Sequence, residues 1–183
     1  MLKPGMSKEE IRQALKDQGD FVQIDYLMKF LNTKPPIHIK KFVYETLTQI
    51  YEKTNMFGEA ALTSEKAAES SVIYTDKIKF FVKATELFIK AGRFEMADYS
   101  MKKALHNANA SEKGGIYAQI KEFYKKQAGA YELDHKRAHA VKFYEKLITL
   151  NLFDEEKEEI KQKLLDLYDK LGRFNDAAML KKS

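Results

Sequence analysis

The sequence predicts an all-α fold, an α-α superhelix of about five helix-turn-helix hairpins forming one domain over residues 1–183. Three observations predict it. Proline is absent from Ile37 to Ser183, so nothing in that stretch removes a backbone donor or clashes with the preceding turn. Apolar residues recur at helical spacing, as in Phe80, Phe81, Ala84, Leu87 and Phe88. A short turn motif returns at intervals of a few tens of residues, the mark of a repeat architecture.

The proline-poor stretch and the stripes together place helices at roughly 7–18, 21–32, 37–54, 58–71, 76–91, 94–108, 112–133, 136–150, 155–171 and 174–182. Ser7 with Glu10 forms a capping box at the first of these. Ser111 precedes the helix holding Ile116, and Asp154 precedes the acidic opening Glu155-Glu156. The best strand-like run, Val72-Ile73-Tyr74-Thr75, is short.

The turn motif is clearest in Lys90-Ala91-Gly92-Arg93-Phe94 and Lys170-Leu171-Gly172-Arg173-Phe174. In each, an aromatic helix end (Phe88, Tyr168) precedes it and an alanine (Ala97, Ala177) follows one turn into the next helix. Weaker copies are centred on Gly19, Asn55 and His135, so the turn positions are 36, 37, 43 and 37 residues apart. Glycine and asparagine tolerate the left-handed conformation that ends a helix. The aromatic after the turn can fold back over the helix just ended, and the alanine lets the paired helices approach. The wide interval before His135 requires a longer first helix or a longer loop in the fourth unit.

These residues resemble the tetratricopeptide repeat, a helix-turn-helix unit with a period of about 34 residues. The resemblance covers nearly the whole chain. It rests on the late first-helix aromatic (Tyr51, Phe88, Tyr131, Tyr168), the turn glycine (Gly19, Gly92, Gly172), the following aromatic (Phe21, Phe57, Phe94, Phe174) and the small residue opening the second helix (Ala60, Ala97, Ala140, Ala177). The sequence departs from the pattern in its longer period, in lacking the closing proline, and at mid-helix. There Thr48, Thr85, Ala128 and Leu165 stand where a small residue is usual, which leads to an expectation of looser pairing.

The resemblance implies a concave surface of first helices that binds segments of partner proteins. The positions it turns inward are Glu45, Gln49, Glu52, Lys53, Lys79, Lys83, Glu86, Lys90, Glu122, Lys125, Lys126 and Glu132. Those expected to touch the partner are Gln49, Glu52, Lys53, Lys79, Lys83, Glu86, Lys90, Lys125 and Lys126. Lysines and glutamates are nearly balanced among them, which argues against a clamp for one carboxylate or for a phosphate backbone.

Composition narrows the alternatives. Hydrophobic residues make up 44% of 183 and charged residues 32%, which sets the chain in the globular range. Without cysteine there can be no disulfide, thiolate zinc site, iron–sulfur cluster or cysteine nucleophile. The opening residues lack the apolar core of a signal peptide and no stretch approaches a membrane span, so the expectation is a cytoplasmic chain with no membrane partner. A formal net charge of +5 is a small excess in a heavily charged surface.

Catalytic and metal chemistry find little support, so no enzyme and no cofactor is expected. His135 and His139 stand four apart, a spacing that can face one metal, but only Glu132 or Asp134 is near as a third ligand and HExxH is missing. Solvated surface histidines are the better reading, as for His38 and His106. Ser64, Ser70 and Ser71 have no neighbouring histidine, and Gly114-Gly115 lacks the strand and lysine of a phosphate loop. Nucleic acid is the weaker alternative partner: Lys40-Lys41, Lys102-Lys103, Lys125-Lys126 and Lys181-Lys182 could hold phosphates, but glutamates interleave them. The short final helix, Asn175 to Ser183, follows the repeat motif with no polar cap. Ala177, Ala178, Met179 and Leu180 are therefore expected to be exposed or covered by a second copy of the chain. The leading expectation is a scaffold that binds a protein segment.

Overall fold

The computed structural model describes residues 2–182, in ten α-helices and no strands. In chain order these are α1 (Lys8–Leu15), α2 (Asp20–Leu31), α3 (Ile37–Lys53), α4 (Phe57–Glu69) and α5 (Tyr74–Lys90). There follow α6 (Phe94–Asn107), α7 (Ala110–Leu133), α8 (Arg137–Ile148), α9 (Asp154–Lys170) and α10 (Phe174–Lys182). Met1 and Ser183, the latter part of the predicted final helix, lie outside the described residues. The chain divides into two compact units, Met1–Ile116 and Tyr117–Ser183, with the division inside α7.

The turn chemistry accounts for the boundaries. Asn55, Gly92, His135 and Gly172 all adopt the left-handed conformation, with φ of 58°, 68°, 57° and 70°. Each is followed by a residue whose N–H reaches back to the carbonyl of the helix-end aromatic. These bonds run from Met56 to Tyr51 at 2.8 Å, Arg93 to Phe88 at 2.9 Å, Lys136 to Tyr131 at 2.8 Å and Arg173 to Tyr168 at 2.8 Å. The left-handed residue itself donates three positions back, from Asn55 to Glu52 and from Gly92 to Ile89, and likewise in the other two turns. This pair of bonds is the Schellman closure of a helix. The carbonyls of Met56, Arg93, Lys136 and Arg173 then accept from Ala60, Ala97, Ala140 and Ala177, which starts the next helix without a spacer. Those four alanines are at most 4% exposed.

The first expected turn is different. Gly19 is extended (φ −64°, ψ 153°) and sits at the start of α2, and α1 has already ended at Leu15. Phe21, expected to fold back, is 71% exposed. At its other end the Ser7–Glu10 capping box forms as expected, with Glu10 N–H on Ser7 Oγ at 3.3 Å and Ser7 N–H on Glu10 Oε2 at 2.7 Å. The α2 helix ends at Leu31, and Lys34 is left-handed just before Pro35 and Pro36. The wide third interval, from Gly92 to His135, is taken up by helix, since α7 runs for 24 residues. Its cap is Asn109, whose Oδ1 accepts from Glu112 N–H while Glu112 Oε2 accepts from Asn109 N–H; Ser111 lies inside the first turn. Likewise Phe153, not Asp154, precedes α9, and Glu156 reaches back to its N–H.

In the first unit α3 pairs with α4, α4 with α5, and α5 with α6. The α4 face is built of small side chains, Ala60, Ala61, Ser64, Ala67 and Ala68, all fully buried. Ser64 Oγ donates to the Phe80 carbonyl of α5 at 2.8 Å, a backbone contact that only a small residue permits. Thr48 and Thr85 are buried as well, and their hydroxyls return to the carbonyls four residues earlier, so neither carries an unpaired polar group into the interface. In the second unit Tyr124 and Tyr131 of α7 pack on Phe143 of α8, with ring centroids 6.5 and 5.2 Å apart. There α8 pairs with α9, and α9 with α10.

Because Asn55 and His135 carry side chains in a conformation that suits glycine, Asn55→Gly and His135→Gly should each raise unfolding stability by about 0.5–1 kcal/mol, the histidine by more. Gly92→Ala and Gly172→Ala should each lower it by about 1 kcal/mol. Urea unfolding followed by helical circular dichroism reads all four; a glycine that destabilises at 135 would contradict the turn assignment.

Candidate functional site

The expected partner-facing residues of the first unit converge on one surface of α3 and α5. Successive i, i+3 and i+4 positions put Lys83, Glu86 and Lys90 on one face of α5, beside Glu52 near the end of α3. Lys83 Nζ lies 2.8 Å from Glu52 and 3.2 Å from Glu86; Lys90 Nζ lies 2.7 Å from Glu86 and 3.3 Å from Glu52. Two ammoniums and two carboxylates thus close a square across the helix pair, each side chain about one-third exposed or less. Burial pushes the Glu52 carboxyl up, but the hydrogen bonds and charges of Lys83 and Lys90 outweigh it and hold the group below its usual value. Burial pulls the Lys90 ammonium down, and Glu86 and Glu52 together carry it above.

Around this square Gln49 and Lys79 are exposed, Lys79 makes no salt bridge with any described residue, and Glu45 is half-buried. Lys53, also exposed, turns to Asp20 of α2 at 2.8 Å. The surface is therefore cross-linked internally at four residues and open at Gln49 and Lys79.

In the second unit, Lys125 is committed to structure. With Lys121 it holds Glu156 at the start of α9, at 3.1 and 2.6 Å. The Lys121 hydrogen bond, the Phe153 N–H and the Lys125 contact bring the Glu156 carboxyl down to about 2. Lys126 and Glu122 are exposed, whereas Glu132 accepts from the buried Tyr144 hydroxyl. Burial and that carboxylate both push the Tyr144 hydroxyl well above its usual range. Tyr168 repeats the device with Glu145 at 2.8 Å.

His135 serves the left-handed turn, and His139 stacks on Tyr131 at 5.2 Å. Among the described residues no group of three His, Cys, Asp or Glu is placed to hold a metal ion, and no helix is long and apolar enough to cross a membrane. On α10 Ala177 is buried, while Met179 is 73% and Phe174 67% exposed.

Sequence reasoning did not assemble a second feature of the first unit. The ends of α4 and α6 and the first half of α5 enclose an open cleft of about 630 Å³, lined by Glu69, Lys77, Phe81, Tyr99, Lys102 and Lys103 among others. The Lys102-Lys103 pair was visible as a basic doublet, but which of the two points inward depends on the packing of α6 against α4.

The described residues form an all-α fold in which consecutive helices pack on one another. No family model matches the chain, and no curated protein matches it.

The Glu52 and Glu156 carboxyls make stability depend on pH. Each is held below its unfolded value, about 4.3 for glutamate, so its contribution is fully present above that pH and is lost as pH falls through the folded value. Wild type should be more stable than Glu156→Gln by at most about 1 kcal/mol near neutrality. That difference should vanish between roughly pH 4 and 2. Glutamine keeps the acceptor for Phe153 N–H, so the comparison isolates charge. A gap that persists at acid pH in urea titrations would show that the lysine contacts are not its source.

Proposed function

We propose that this chain is a non-catalytic interaction scaffold, a tetratricopeptide-like α-α superhelix whose first helices bind a segment of a partner protein. One observation carries the reading: the same two-bond turn recurs at Asn55, Gly92, His135 and Gly172, each joining an aromatic helix end to a buried alanine. A unit repeated in this way builds extended surface by adding hairpins, and repeat proteins use such surface for binding. The polar groups gathered on α3 and α5 are lysines and glutamates that neutralise one another, which is the make-up of a recognition face and not of an acid–base pair. An internally saturated ion-pair surface imposes a penalty on any partner that cannot replace those contacts, and so it favours specificity over raw affinity.

Gln49 and Lys79 are the residues through which a partner is read, because both are exposed beside the square and Lys79 has no carboxylate partner among the described residues. A photoreactive benzophenone residue at 49 or 79 should cross-link one and the same protein in lysate of the native cell. The same residue at the exposed Gln13 of α1 should not. Lys79→Glu should reduce capture several-fold while leaving helix content intact. Cross-linking that is equal from position 13, or absent from both 49 and 79, would remove the first-helix surface as the binding face.

A further inference from the structure

The α5 helix has a second charged side. Lys77 and Phe81 lie two residues from Lys79 and Lys83, which at about 100° per residue turns them to the opposite flank. On that flank is the 630 Å³ cleft between α4, α5 and α6. Its central cation is Lys103, held over the Tyr99 ring at 4.4 Å and the Phe81 ring at 5.2 Å, with Glu69 at 3.4 Å and Glu65 at 3.7 Å. Glu65 is buried and also accepts from Ser100 Oγ at 2.8 Å, so the group is fixed from below. Lys77 and Lys102 line the same cleft and make no salt bridge with any described residue. Phe81 is buried, and Tyr99 is 58% exposed.

We propose that this cleft binds an acidic protein segment that carries an aromatic or large aliphatic side chain between its carboxylates. The apolar side chain packs on the exposed part of Tyr99, and the carboxylates pair with Lys77 and Lys102. Lys103 is already immobilised by two rings and two carboxylates, so binding need not order the side chain at the centre of the site. The charge balance selects an anionic occupant: Glu65 and Glu69 are both spent on Lys103, and Lys77 and Lys102 line the cleft with no carboxylate partner among the described residues. It selects a peptide over nucleic acid for two reasons. A phosphate backbone needs a row of free cations, and here only Lys77, over the Tyr74 ring at 5.5 Å, and Lys102 lack a carboxylate partner among the described residues, while Glu69 stands on the wall. One face of Tyr99, the surface a base would stack on, is covered by Lys103. This site is independent of the first-helix surface, and substitutions at Gln49 or Lys79 do not touch it.

The test is fluorescence anisotropy with the full chain and a fluorescein-labelled peptide of sequence Asp-Glu-Asp-Phe-Glu-Asp-Leu-Glu. Saturable binding is expected, weakening as salt rises from roughly 0.05 to 0.3 M. Lys77→Glu combined with Lys102→Glu should weaken it at least about tenfold, and Tyr99→Ala about fivefold. Lys79→Glu should leave it within about twofold, because that charge is on the other flank. Lys77→Gln with Lys102→Gln, checked for unchanged circular dichroism, guards against loss through misfolding. The proposal is overturned if wild type shows no saturable binding, or if Lys79→Glu costs as much as the cleft pair. It is equally overturned if a peptide with serine in place of Phe and Leu binds as tightly, or if a uridine oligonucleotide binds more tightly and displaces the peptide.

Discussion

The left-handed residue that closes a first helix is the constraint on which the hairpins depend. At Asn55, Gly92, His135 and Gly172 the backbone reverses within one residue, and two return bonds satisfy carbonyls that a helix end would otherwise leave bare. The residue that donates the longer return bond also accepts the first bond of the next helix. The exit angle is therefore passed from one helix to the next with no flexible linker between them. Ala60, Ala97, Ala140 and Ala177 follow from this geometry: five residues past the reversal they are buried, and a larger side chain would overpack the site.

Packing of small residues then determines where charge can go. Since α4 presents alanines and Ser64 to its neighbours, α3, α5 and α6 come near enough for long side chains to bridge between helices. Lys83 and Lys90 meet Glu52 across α3 and α5 on one flank, and Lys103 meets Glu65 and Glu69 across α4 and α6 on the other. Both are partly buried clusters where ions are held by several partners at once, so their geometry is set more firmly than that of an isolated surface pair. The two flanks differ in what remains unpaired. One leaves a glutamine and a lysine at its margin; the other leaves two lysines around an exposed tyrosine.

Much of the fold was legible from local signals. The ten helices lie within a few residues of the spans read from periodicity and proline, and the capping box at Ser7 is formed as its residues implied. His135 was placed at a turn only by alignment with its repeats, because histidine is not a residue that announces a left-handed conformation. Gly19 misled for the complementary reason: glycine tolerates left-handed backbone but does not require it, and here it is extended at the start of α2, four residues after α1 has ended. The caps at Asn109 and Phe153 were each displaced from the residue read as the start, since several polar residues nearby could equally have served.

Sequence alone determined the class of fold, the number of helices and four of the hairpin turns, because these rest on backbone chemistry acting over a few neighbouring residues. The resemblance of the turns to the tetratricopeptide pattern also singled out Glu52, Lys83, Glu86 and Lys90 as facing one way. Only the tertiary structure decided which charges cancel. Lys125 is spent on Glu156, Lys53 on Asp20, and Lys83 on Glu52, all pairings between residues more than thirty positions apart. The cleft around Tyr99 belongs to the same category. Its walls come from three helices, and the distance between them is set by side-chain volumes in an interface that no local pattern encodes.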